Sequence, residues 1–555
     1  MNVTLTASVI WALHLHFALS RSFFPLLPTF CSCSRTDHFA MDPASPPHHN
    51  QLQEQEHDQV GCPTMKKEPG WAQAAARAVA GEARAQRGIV LPLIGMNLTG
   101  FVKQAITTAF LGRLGDLELA AGTLGFSFAS ATGIAVLMGL CGAMDPICGQ
   151  AHGAGNSALL RRTLVMTIVM LLAASVPIAL LWLRVDAVLH HVFGQQPDIS
   201  AVARRYVVCL LPDLAVVSFR APLKAYLSSQ EVTLPAFFSS AVGLAVHVPL
   251  IVWLSRTRGV EGVATAVWLS DLATAVGLAV YVLLLSKKDN GNAEAPRCRR
   301  WWPDMARKEE WVRLLRLAVP CCLNTCLEWW CLEILILLTG RLPDARRAVA
   351  VIAVTLNFDY LLYAAMLSLS VSAAVRVSNS LGAGDAAAAR RSTTISIMGG
   401  ILAGVGGGAL MLASRRQWAR LYTRGAGVRD GVAKAMTVMA ALEVLNFPLN
   451  VCGGIVRGTA RPAVGMYAVL GGFYLVALPV AVALGFRARR GIEGLLAGFI
   501  VGTAASLTVL VVVIARMDWK AEADKARVRA GVGAVGDDVP GSGKEDAPSA
   551  NPGEV

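Results

Sequence analysis

The sequence predicts an all-α polytopic membrane protein: twelve transmembrane helices in two parallel six-helix lobes around a central cleft. Three observations carry this. The 555 residues are 54% hydrophobic and only 16% charged, with a mean hydropathy of +0.52, too apolar for a soluble chain of this size. Apolar runs of about 20 residues recur, the length a helix needs to cross ~30 Å of hydrocarbon. The two halves of the chain also repeat one another at a nearly fixed offset.

In chain order, residues 1–40 resemble a poor signal peptide, broken by His14, His16 and Arg21, with Met41 opening a polar tail. The whole of 1–87 reads as a poorly ordered N-terminal tail. Six spans follow at 88–110, 119–142, 161–183, 202–222, 232–254 and 262–285, making an N-lobe over 88–285. A basic loop at 286–312 separates it from a C-lobe over 313–515, with spans at 313–338, 348–371, 392–413, 433–456, 464–486 and 492–515. Residues 516–555 read as a disordered tail. The basic loop points to the cytoplasm, and twelve spans then place both termini there. Eight of the twelve cysteines lie in or beside apolar spans and read as small buried hydrophobes, not as disulfides or metal ligands.

The repeat is explicit. GRLGD at 112–116 matches GRLPD at 340–344, 228 residues on. GAGNSALLRRT at 153–163 matches GAGDAAAARRS at 382–392, and RTRGVEG at 256–262 matches RARRGIEG at 487–494, offsets of 229 and 232. Six spans per copy is an even number, so the copies share one orientation about an axis along the membrane normal. The GAG strings read as tight turns, with Gln150 and Asn379 shaping them, and Pro92 and Pro320 read as opening corresponding helices or as kinks that move in alternating access.

Charged residues inside such spans are costly and need a reason. The span containing Pro320–Gly340 carries Glu328 and Glu333, about 140° apart around a helix, so one faces a cavity while the other faces elsewhere. Asp213, Asp359, Glu443, Lys103 and His247 are further intramembrane candidates, with Lys103 as the counter-charge of a buried acid. The basic excess, 50 Lys+Arg against 37 Asp+Glu, fits anionic lipid, and no nucleic-acid motif accompanies it.

The motifs MDPICGQAHGAG (144–155), FLGRLGDLELA (110–120), LLPDL (210–214), CLEWW (326–330), VRVSNSLGAG (375–384) and IVRGTARP (455–462) resemble those of the multidrug and toxic compound extrusion (MATE) transporters, in particular the plant DETOXIFICATION branch. The resemblance runs from Leu91 to Val512 and takes in Gln150, Gly153, Asn379 and Arg457. It implies the MATE fold and efflux of small organic solutes and xenobiotics in exchange for H⁺, or for Na⁺ in some members. It also implies Glu328 as the proton-coupling residue. Where other plant members carry an aspartate on the tenth helix, this chain has Asn446, which does not titrate; Glu443, one turn earlier on the same face, is the substitute, and Glu333 is a further proton-coupling candidate or a partner for a neighbouring helix. No cofactor or catalytic metal is implied, the chain is not expected to be an enzyme, and a monomer in an endomembrane (late endosome, Golgi or vacuole) rather than the plasma membrane is the expected setting.

Rival readings fare worse. An ATP-driven pump needs a phosphate-binding loop, and DVPGSGKE at 538–545 has Asp538 where the first glycine belongs. A membrane enzyme would cluster histidines with acids, yet none of the ten histidines lies near Glu328. A non-transporting scaffold or sensor acting through its tails stays as an alternative.

Overall fold

The computed structural model describes residues 71–192, 194–290, 308–423 and 425–532, and everything seen there is helix, turn or short connection. The helices are α1 (Trp71–Leu114), α2 (Asp116–Gly153), α3 (Ser157–Leu183), α4 (Pro197–Ser229), α5 (234–258), α6 (260–290), α7 (Lys308–Thr339), α8 (Ala345–Gly382), α9 (Ala386–Tyr422), α10 (Ala426–Gly458), α11 (Pro462–Arg487), α12 (Gly491–Ala515) and α13 (Trp519–Arg529). Readings of residues 1–70, most of the 286–312 loop and residues 533–555 lie outside the described residues.

Eleven continuous helices among the described residues are long and apolar enough to span a bilayer, and one runs for 52 residues, Leu234–Leu285. Straight, it would reach ~78 Å, more than twice a hydrocarbon core. It does not run straight. Gly259 adopts φ 58, ψ −131, and the Leu254 carbonyl oxygen lies 2.0 Å from where a Gly262 Cβ would stand. His247 meets the Ala266 carbonyl at 3.3 Å, so α5 and α6 are an antiparallel pair. The described residues thus supply twelve spans.

The duplicated strings become duplicated geometry. Gly259 and Gly491 turn with φ 58 and 57, and Gly155 and Gly384 with φ 73 and 81. These left-handed conformations are open to glycine without a Cβ penalty. Directly after the second pair, Asn156 accepts from Leu159 N at 3.0 Å and Asp385 from Ala388 N at 2.8 Å. Both are N-caps that start the next helix.

Buried apolar side chains form two cores. One gathers residues from Ile89 to Ala318, with Val375 of α8, around Trp182 and Tyr206; the other runs from Cys331 to Ala526 around Phe447. Helix α7 belongs to both, with Leu314 and Ala318 in the first and Cys331 and Leu335 in the second. It therefore links the N-terminal and C-terminal halves.

Three expectations are corrected. Pro92 and Pro320 lie inside α1 and α7 rather than opening them, because each helix begins well before the apolar run does. Residues 71–87, read as tail, form the start of α1. Residues 519–529, also read as tail, form α13, whose cap is Asp518 accepting from Lys520 N and Ala521 N. Polar composition had suggested disorder there, but Glu522, Ala523 and Ala526 are buried against the C-terminal half and hold the helix in place.

Candidate functional site

Between the halves lies a cavity of about 300 Å³. The C-terminal stretch of α2, the end of α4, and α7, α8, α10 and α11 wall it. Within α2 the segment Ser130–Ile134 is a π-helical turn, and both end residues face the cavity. Such bulges recur where a helix must re-aim side chains at a functional site. Trp329 and Tyr363, in edge contact at 5.8 Å between ring centroids, and Phe473 supply aromatic surface.

Four charged side chains reach the cavity: Asp145 from α2, Lys224 from α4, Glu328 from α7 and Arg457 from α10. Arg457 Nε donates to Asp145 Oδ2 at 2.7 Å, an ion pair across the halves over 312 residues of sequence. Glu328 and Lys224 have no ion pair within 4.0 Å among the described residues. Glu328 has the neutral Asn450 as its neighbour. Asn450 Nδ2 donates in turn to the Asn446 carbonyl at 3.2 Å.

One turn before Asn446, Glu443 is fully buried and its carboxyl faces that of Asp359 on α8, itself 7% exposed. Both Glu443 carboxyl oxygens and Asp359 Oδ1 are buried without a hydrogen-bond partner among the described residues, and two ionised carboxylates only accept, so neither satisfies the other. Glu443, Asn446 and Asn450 thus form a polar stripe on α10 that ends at the cavity, whereas Glu333 lies outside the cavity lining.

A second charged cluster lies inside the N-terminal half. Lys103 Nζ meets Asp271 Oδ1 of α6 at 2.7 Å, and Arg220 Nε stands 3.8 Å from the same oxygen. Asp213 is 2% exposed with Oδ1 unpartnered among the described residues. His247 sits between Thr107 Oγ1 at 3.2 Å and the Ala266 carbonyl, a structural arrangement. Removing one member of a buried ion pair strands the other. Lys103→Met is expected to lower stability by about 3–5 kcal/mol, with Asp271→Leu restoring part of the loss in the double variant. Thermal unfolding in detergent measures both.

The MatE family profile matches this chain over residues 92–253 and 320–483, one match per half. The chain is 49% identical over 453 residues to Protein DETOXIFICATION 56 of Arabidopsis thaliana, covering 80% of this chain and 90% of that protein. The chain is a MATE transporter of the plant DETOXIFICATION type. Protein DETOXIFICATION 48 of the same plant is 36% identical over 438 residues, covering 78% of this chain and 80% of that protein. Among solved structures, the eukaryotic MATE transporter AtDTX14 aligns with a TM-score of 0.74 and 28% identity, over 82% of this chain and all of that one. The transporter is accordingly a multi-pass integral membrane protein of an efflux family and not an enzyme.

The family motifs do more than shape turns. Gln150 Nε2 donates to the Gly458 carbonyl of α10 at 3.2 Å, and Asn379 Nδ2 to Glu231 Oε1 at 3.1 Å, both between halves. Gly153 has the Asn379 carbonyl oxygen 2.0 Å from where its Cβ would stand, so its reason is helix contact; Gly155 makes the turn. Asp145 and Lys224 were missed in sequence because the apolar spans ending at 142 and 222 place both just outside. Asp271 lies within the span 262–285 and is legible there by the same rule that singles out Asp213.

Proposed function

We propose that the transporter exports or sequesters organic solutes in exchange for H⁺ and that Glu328 is the residue where proton and solute compete. The observation carrying this is a carboxyl without an ion pair, on an apolar membrane-spanning helix, opening on the cavity between the halves. A deprotonated Glu328 holds the basic group of a solute; a proton from the acidic side discharges it and releases the solute. The Asn450–Asn446 stripe leads from there to the Glu443–Asp359 pair, which serves as a second proton store. Solute binding then weakens as pH falls, and each ligand shifts the other by the same factor.

The end carrying the GAG turns is assigned to the cytoplasm on its arginines, Arg161, Arg162, Arg390 and Arg391, and on the basic 286–312 loop. An endomembrane location and a monomeric state complete the proposal.

The test is solute-dependent proton release from reconstituted vesicles under an imposed pH gradient, across a panel of organic solutes. Glu328→Gln is expected to lower it to near background while leaving insertion unchanged, because an amide at that position neither binds nor releases a proton. Proton release equal in both proteins would assign Glu328 a structural role and move the coupling to Glu443 and Asp359. An unbroken response to Na⁺ in place of H⁺ would reassign the ion.

A further inference from the structure

The four charges of the cavity balance to zero, but they do not all pair. Asp145 is engaged by Arg457 at 2.7 Å and is the acid that Lys224 senses, so Lys224 is left as a cation in excess on the α4 wall. Glu328 on the α7 wall feels the same Arg457 but forms no ion pair with it within 4.0 Å, because that guanidinium is engaged by Asp145. Glu328 is thus left as the acid without a direct counter-ion. Lys224 comes from the N-terminal half, and Glu328 lies on the stretch of α7 that enters the C-terminal core. A desolvated charge with no partner is costly and persists where a ligand supplies the partner.

We propose that the preferred solutes are zwitterions: compact organic molecules with an aromatic or apolar body, one basic nitrogen held by Glu328 and one acidic group held by Lys224. A simple organic cation satisfies Glu328 but meets Lys224 as a like charge; a simple anion meets Glu328 in the same way. A net-neutral cavity therefore rejects both relative to a molecule carrying each sign once. Trp329, Tyr363 and Phe473 cover the apolar body, and a cationic nitrogen near those rings gains further attraction. The volume of about 300 Å³ suits a small solute.

This rests on the proposed competition at Glu328 and keeps its sign. The proton displaces the basic nitrogen, while Lys224, unaffected, sets which solutes enter. Lys224 is in this sense the specificity residue and Glu328 the coupling residue.

Three probes share the phenylalanine body and differ chiefly in charge: the N-trimethylated betaine of phenylalanine, its methyl ester, which is a permanent cation, and N-acetylphenylalanine, an anion. Binding is read by quenching of cavity tryptophan fluorescence, and transport separately by proton release from vesicles. The betaine is expected to bind about tenfold more tightly than either relative, equivalent to ~1.4 kcal/mol. Lys224→Gln is expected to remove that preference by weakening the betaine and strengthening the cationic ester, and Lys224→Arg to retain it. The inference is overturned by an ester that binds as tightly as the betaine, by an unchanged ratio in Lys224→Gln, or by no betaine binding at all. Selective betaine binding without proton release from any probe would sink the exchange reading and leave the inference standing.

Discussion

Arg376→Met is expected to lower stability by about 3–5 kcal/mol and to loosen the two halves from one another. The guanidinium forms a fork on Glu82 of α1, with Nε to Oε1 at 2.9 Å and Nη2 to Oε2 at 2.5 Å. Its third nitrogen reaches Glu231, between α4 and α5, at 2.7 Å. Glu82 is buried and also accepts from Ser392 at 2.8 Å and Gln86 at 3.2 Å. Both glutamates belong to the N-terminal half, and Arg376 and Ser392 to the C-terminal half. Without the arginine, two carboxylates share a site with only neutral donors, the situation in which a broken buried pair costs most.

Arg376→Lys keeps the charge but cannot hold both glutamates in fork geometry, so an intermediate loss is expected. Glu231→Gln in the Arg376→Met background recovers part of the stability, because it removes one stranded charge. Thermal midpoints in detergent give the ranking. Alkylation of Cys148, fully buried on α2 next to Gly149, which packs on Ser378 and Asn379 of α8, reports the opening: it rises in Arg376→Met if the pair closes the interface. Equal midpoints for wild type and Arg376→Met would show that the network contributes nothing.

Gly153→Leu is expected to abolish transport nearly completely. A Cβ there would stand 2.0 Å from the Asn379 oxygen, 2.8 Å from its carbonyl carbon and 2.9 Å from Ala383 N. These are backbone atoms of α8, so no rotamer change relieves the clash. The contact is reciprocal, since a Gly382 Cβ would stand 2.2 Å from the Gln150 oxygen. Either the helices part or the state in which they meet is lost, and overpacking of this kind costs at least 1–3 kcal/mol. Gly153→Ala is expected to show a smaller loss of the same kind, and Gly155→Ala a loss traceable to its turn, φ 73, with no opening of Cys148. Transport in Gly153→Leu at the native rate would mean that this contact is never part of the working cycle.

Helix α13 strengthens the same end. Asn156 Nδ2 donates to the Ala530 carbonyl at 2.9 Å and Arg313 to that of Arg529 at 2.6 Å, while Arg461 pairs with Glu522. It touches both halves, although its polar composition had placed it in a disordered tail.

The sequence alone determined the spans, the duplication and the membrane-embedded position of Glu328. Each is a local property: hydropathy over about 20 residues, a glycine free to turn, an acid amid apolar neighbours. Even so, it missed how far the helices extend beyond the hydrocarbon, and with that Asp145 and Lys224. Only the tertiary structure decided which charge meets which. Lys103 finds Asp271, Arg376 finds Glu82 and Glu231, and Arg457 finds Asp145, the last three across 294, 145 and 312 residues. Such pairings depend on the register and facing of helices brought together by packing, and no local pattern encodes them. The same holds for the two charges left over, Lys224 and Glu328, whose unpaired state appears only once every other cation and acid around the cavity has been placed.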